Sequence, residues 1–172
     1  FFRHFFCVLK LLDLFFGLMS FCAIGCLGNL TNKNMVALKL VDTDEYYPLV
    51  DEVSDVCRQN NILMVADSQS SSQVGDVSRF KDMLLLTPTE REARLAVRDF
   101  NSGLVVLAEK LRKTANAKNI ILTLGSEGLI AHATSTDDGT WHTDRLPALN
   151  AAPKDSAGAG DSLLACCSMA MA

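Results

Sequence analysis

A chain of 172 residues is long enough for one domain with its own hydrophobic core. Its 49% hydrophobic and 21% charged residues exclude a disordered polymer. A formal net charge of −4 offers no basic footprint, so no nucleic-acid partner is expected.

The six cysteines are Cys7, Cys22, Cys26, Cys57, Cys166 and Cys167, and none forms a CxxC pair. His4, His132 and His142 lie far from most of them, so no Cys/His cluster has zinc spacing. Reduced thiols in a cytoplasmic protein are expected. Cys166 and Cys167 read as small apolar residues of a helix.

Residues 1–30 stand apart as a segment rich in Phe, Leu and Cys. From Leu11 to Gly28 the only polar side chains are Asp13 and Ser20. A bilayer span needs about 20 apolar residues, and a carboxylate inside one is costly. Arg3, His4 and Lys10 before the stretch, with small residues around Ala23 to Gly25, are of the kind found in a signal peptide. Two readings stay open: a membrane or signal element, and a buried element or a segment outside the domain. The chain starts with Phe and stops at Ala172 in mid-pattern, and is expected to be a fragment.

From Asn34 the texture is that of an α/β protein. The run from Met35 to Val41 predicts a strand. Pro48 opens a helix whose apolar positions are Leu49, Val53, Val56 and Cys57. The run Ile62 to Ala66, ending at Asp67, predicts a buried parallel strand, and residues 68–75 a polar loop. Met83 to Leu86 predicts another strand, ended by Thr87 and Pro88, with a helix from Glu90. A further helix from about Ser102 to Thr114 carries Leu104, Leu107, Ala108 and Leu111 on one face. Asn119 to Leu124 is a strand, Gly125 to Gly128 a turn, and Leu129 to Ala133 an antiparallel return. Asp137 to Gly139 is a turn before Trp141, which with His142 reads as packing or surface. From Leu163 the residues suit a buried helix. Alternating strands and helices predict a mostly parallel sheet covered on its faces, with ligands beyond the carboxyl ends of the strands. Asp67, Thr87, Gly125 and the loop before Asp161 fall at such ends.

The segment from Asp155 to Asp161 reads DSAGAGD. Gly158 and Gly160 let backbone approach a ligand closely, and the helix that follows offers free N–H groups and the positive end of its dipole. Asp161 supplies a carboxylate beside that anion site, as a general base for a hydroxyl proton would. The plainer reading is a capped helix. A dinucleotide fingerprint fits poorly, because Leu163 holds its third glycine position, and no GxxxxGK[ST] loop exists.

DSAGAGD resembles the carboxy-terminal signature D-T-T-G-A-G-D of the PfkB, or ribokinase-like, carbohydrate kinases, with Ser156 and Ala157 in place of the threonines. Leu122 to Gly128 is similar to that family's T-L-G-x-x-G nucleotide loop, and Thr87 to Ala93 to its T-P-N-x-x-E-A segment. The stretch from Asp67 through Phe80 to Glu92 looks most like the kinase part of ADP-heptose synthases. The resemblance implies a three-layer αβα ribokinase-like fold, incomplete at both ends, with residues 31–172 as the nucleotide-binding half of a kinase domain. It implies phosphoryl transfer from ATP, with Mg2+, to a hydroxyl of a sugar or sugar phosphate such as heptose 7-phosphate. It implies Gly158, Ala159 and Gly160 as anion hole and Asp161 as base. Thr123, Gly125, Ser126 and Gly128 would meet ATP. Thr89 and Glu92 would serve the magnesium and phosphate region, although Thr89 stands where the family has Asn and the pair is equally a capping box. Asp155 would help hold a monovalent cation such as K+. Asp67 would face phosphates or substrate, or simply cap a solvated serine loop. A homodimer is compatible with the resemblance. The sugar-binding lid and the helices that close over adenine are not found, so a catalytically incomplete nucleotide-binding or scaffold fragment is the alternative.

Overall fold

The structure is a computed structural model that describes residues 24–27, 35–41, 47–69, 76–134, 140–150 and 158–171. Its elements are β1 (Ile24–Leu27), β2 (Met35–Val41), α1 (Tyr47–Gln59), β3 (Leu63–Gln69), β4 (Leu85–Leu86), α2 (Glu90–Val97), α3 (Leu104–Ala115), β5 (Asn119–Thr123), β6 (Leu129–Thr134), β7 (Trp141–Leu146) and α4 (Ala159–Met171). The seven described strands lie in one sheet in chain order. β2, β3, β4 and β5 run parallel, whereas β1, β6 and β7 are added antiparallel at the two margins.

Strand alternation divides the core into two layers. Met64 and Ala66 of β3, Leu86 of β4, and Ile120 and Leu122 of β5 pack with Val50 and Cys57 of α1, Ala93 of α2, and Leu107, Leu111 and Ala115 of α3. The intervening Val65 and Leu85 point the other way, onto Leu164 of α4, with Ile121 and Cys167 beside them. The central strands are apolar on both faces because both are covered. The arrangement is the expected αβα sandwich.

Several expectations shift in detail. In α1 the buried stripe is Val50, Ser54 and Cys57, at i, i+4 and i+7, while Val56 is 48% exposed. β4 is confined to Leu85–Leu86. Met83 before it stays fully buried, and its carbonyl accepts from the Lys118 N–H. β3 continues past Asp67 to Gln69, in register with β2, so Asp67 lies inside the strand opposite Lys39. The rest of the expected polar loop, residues 70–75, lies outside the described residues, as does the turn at Asp137 to Gly139. α4 is one-sided rather than buried: Leu164 and Ser168 are inside, whereas Cys166 is exposed.

Two strands were not expected. Ile24–Leu27, from the end of the apolar segment, pairs with β2. Residues 1–23, on which the membrane or signal reading mostly rests, lie outside the described residues. Among the described residues no helix is long and apolar enough to cross a membrane. Trp141–Leu146 forms β7, paired with β6 from Leu129↔Leu146 to Thr134↔Trp141. This hairpin is tied to α3 by the buried ring of His132. Its Nε2 meets Glu109 Oε2 at 2.9 Å, its Nδ1 meets Thr143 Oγ1 at 2.7 Å, and the Trp141 ring packs edge-on at 5.3 Å.

Candidate functional site at the carboxyl edge of the sheet

The parallel strands β3, β4 and β5 end on one edge, where open α/β sheets bind ligands. Beneath α4, Val65 pairs with Leu85 and Ala66 with Leu86. One step further along the same register stand Asp67 and Thr87, and the Thr87 N–H donates to the Ala66 carbonyl at 3.3 Å. By alternation both side chains share the face of Val65 and Leu85, which is the face that α4 covers. Both residues are buried. The Thr87 hydroxyl has no hydrogen-bond partner among the described residues.

The first turn of α4 sits over Asp67. Gly158 has φ +74, a left-handed conformation that suits glycine, and its carbonyl accepts from the Ser162 N–H at 2.9 Å. A Cβ added at Gly160 would stand 3.5 Å from Asp67 Oδ2. Gly158, Ala159, Gly160 and Asp161 are all exposed, with Asp161 in the first turn. The structure therefore brings Asp67 and the glycine loop together although they are far apart in sequence. Asp155 lies outside the described residues.

A second group surrounds the start of α2. Thr89 is its N-cap and Glu92 closes a reciprocal capping box. Glu92 Oε2 accepts from both the Thr89 N–H and the Thr89 hydroxyl at 2.8 Å, while Thr89 Oγ1 accepts from the Glu92 N–H at 3.2 Å. Glu92 is only 5% exposed. A backbone bridge joins Thr89 to Thr123, whose N–H donates to the Pro88 carbonyl at 2.9 Å. This places Thr89 beside the turn of Gly125, Ser126 and Glu127. Between them lies an open cleft of about 450 Å³ with Thr89, Arg91, Phe100, Thr123, Leu124 and Gly125 on its walls.

The glycines of that turn differ. Gly125 has φ +61 and open space around the position of a Cβ. Gly128 has φ +95, and a Cβ there would fall 2.0 Å from the Leu146 carbonyl oxygen. Close packing against the end of β7 is therefore reason enough for glycine at 128. Sequence reasoning did not single out Arg91, Phe100 or the unpaired Thr87 hydroxyl. Only the hydroxyl's burial, which needs the fold, could have flagged it.

The donor set suits the implied groups. Asp67 and Thr87 offer hard oxygen atoms on one face, which fit Mg2+ held by a carboxylate together with phosphate oxygens. No group of three or more His, Cys, Asp or Glu residues forms an all-protein metal cage among the described residues. The helix N-terminus without side chains at Gly158 and Gly160 fits a phosphate group.

Fold and site together define a ribokinase-like α/β domain. The description "pfkB family carbohydrate kinase" matches residues 31–170, and the chain belongs to that family. The bifunctional protein HldE of Desulfatibacillum aliphaticivorans is 24% identical over 128 residues, covering 72% of this chain and 24% of that protein. Phosphofructokinase-2 from Escherichia coli in complex with potassium superposes with TM-score 0.60 at 15% identity, over 80% of this chain and 43% of that one. Ribokinase from Thermotoga maritima does so with TM-score 0.52 at 23% identity, over 70% and 39%. The chain thus spans less than half the length of each of these relatives.

Proposed function

We propose that the protein carrying this chain transfers the γ-phosphoryl group of ATP to a hydroxyl of a sugar or sugar phosphate. The observation that carries this reading is the glycine-bearing first turn of α4 seated over the buried Asp67 at the carboxyl edge of the sheet. In this reading Asp161 takes the proton from the acceptor hydroxyl as its oxygen bonds to phosphorus, and ADP leaves. The backbone N–H groups of Gly158, Ala159 and Gly160 receive the charge on the transferred group. Thr123, Gly125 and Ser126 line the path of the nucleotide. When bound, Mg2+ would neutralise phosphate charge beside Asp67, and Glu92 would reach it only by opening its capping box with Thr89.

Heptose 7-phosphate is the first acceptor to test, supported by the likeness to HldE. A K+ requirement involving Asp155 is supported by the solved potassium complex of the Escherichia coli relative. A cytoplasmic location is part of this reading, in keeping with membership of a carbohydrate kinase family. The test is ATP-dependent phosphorylation of a panel of sugars and sugar phosphates by the intact protein. Asp161→Asn should lower kcat by about 10²-fold or more. Near-normal kcat in that variant would remove Asp161 from the role of base.

A second reading, a nucleotide-binding domain without catalysis, is favoured by one observation: Glu92 Oε2 and the Thr89 side chain are committed to each other. Calorimetry with ATP and Mg2+ separates the two. Binding without turnover on any acceptor supports the second reading, and turnover removes it.

A further inference from the structure

We propose that Arg91 is the residue of α2 that binds the phosphate chain of the nucleotide, resting on the kinase reading above. The first turn of α2 offers four polar side chains toward its cleft or beside it, and three are spent. Thr89 and Glu92 hold each other in the capping box. Glu90 is paired with Arg94, whose Nε donates to Glu90 Oε1 at 2.7 Å. Arg94 is fixed further through Nη1, which donates to the carbonyls of Asp99 and Ser102 at 3.2 and 3.1 Å. It therefore cannot turn to a ligand without breaking three hydrogen bonds. Arg91 is exposed, lines the same cleft and has no hydrogen bond or ion pair among the described residues.

The charges on the walls favour an anion. Glu90 would repel a phosphate, but the Arg94 guanidinium balances it. What remains uncompensated is the cation of Arg91, which lines the same cleft as Thr123, Leu124 and Gly125. A guanidinium presents paired N–H donors that match two phosphate oxygens, and it is weakly hydrated for a cation. Its position in the first turn of α2 adds the favourable dipole of that helix. A volume of about 450 Å³ accommodates a polyphosphate with room for a ribose.

The test uses the intact protein, titrated calorimetrically with MgATP, with inorganic tripolyphosphate and with adenosine. Arg91→Ala should raise Kd for MgATP and tripolyphosphate about tenfold and leave adenosine binding unchanged. Arg91→Lys should recover part of the loss, and the difference from wild type should shrink as salt is raised. In the kinase assay the variant should raise KM for ATP and leave KM for the sugar unchanged. Equal MgATP affinity in Arg91→Ala and wild type overturns the role of Arg91 and leaves the kinase reading standing. A wild-type protein that binds neither MgATP nor tripolyphosphate overturns both.

Discussion

The backbone of Gly160 lies over the carboxylate of Asp67, with only 3.5 Å between Asp67 Oδ2 and the place a Cβ would take. That distance is ordinary van der Waals contact, and Gly160 is not among the positive-φ glycines. Alanine therefore fits the free protein. Inside a helix it should stabilise by about 0.5–1 kcal/mol relative to glycine. It also places a methyl group where the proposed site needs bare backbone. Gly160→Ala should melt at a higher temperature and phosphorylate more slowly. A variant equally stable and fully active would mean that nothing approaches this turn.

Gly128 predicts the opposite pattern. Its left-handed φ and the 2.0 Å approach to the Leu146 carbonyl oxygen leave no room for any side chain. Gly128→Ala should lose about 3 kcal/mol or more, because backbone rather than a flexible side chain must move. Urea unfolding of the variant checks this. A loss of nucleotide affinity at unchanged stability would instead make Gly128 a ligand contact.

Thr87 carries a buried hydroxyl without a hydrogen-bond partner among the described residues. Replacing it by the isosteric Thr87→Val removes an unpaired polar atom and keeps the shape. The expected result is a stability gain of about 1 kcal/mol, measured by denaturant midpoint. Added MgATP should stabilise wild type more than the variant if the hydroxyl serves the ligand. A destabilised Thr87→Val would show that the hydroxyl is satisfied in solution.

The central layers were legible because burial on both faces writes itself as apolar runs. Ile62 to Ala66 and Asn119 to Leu124 needed no alternation to be read as strands. The carboxyl-edge loops were legible as motifs in order, with Asp161, Gly125 and Glu92 each at a strand end or helix start. Their arrangement was not, since the meeting of Asp67 with Gly160 depends on strand register and on which face α4 covers. β7 was hidden for another reason. Its residues are mostly exposed, and it is held by backbone pairing to β6 rather than by an apolar pattern. The ring of His132 reaches Glu109 across 23 positions, a relation that no local pattern encodes.

That last relation gives a pH prediction. Glu109 receives Arg112 Nε at 2.7 Å and Nη2 at 3.0 Å, and His132 Nε2 and Lys113 lie within 3.2 Å. The Arg112 hydrogen bonds foremost, against the opposing effect of burial, hold its carboxyl down at about 2 from an ordinary value of 4.5. A carboxyl whose pKa is lower in the folded state stabilises the fold above the unfolded value. That stabilisation is lost as pH falls from about 4.5 through about 2. The side chain is only 13% exposed, so the contribution should be on the order of 2 kcal/mol. Urea unfolding between pH 7 and pH 2 should therefore show a steeper acid loss in wild type than in Glu109→Gln, with the two curves converging near pH 2. Because Glu109 joins α3 to the β6–β7 hairpin, hydrogen exchange should show that hairpin opening first in acid. Parallel pH curves for wild type and Glu109→Gln would remove Glu109 as the anchor.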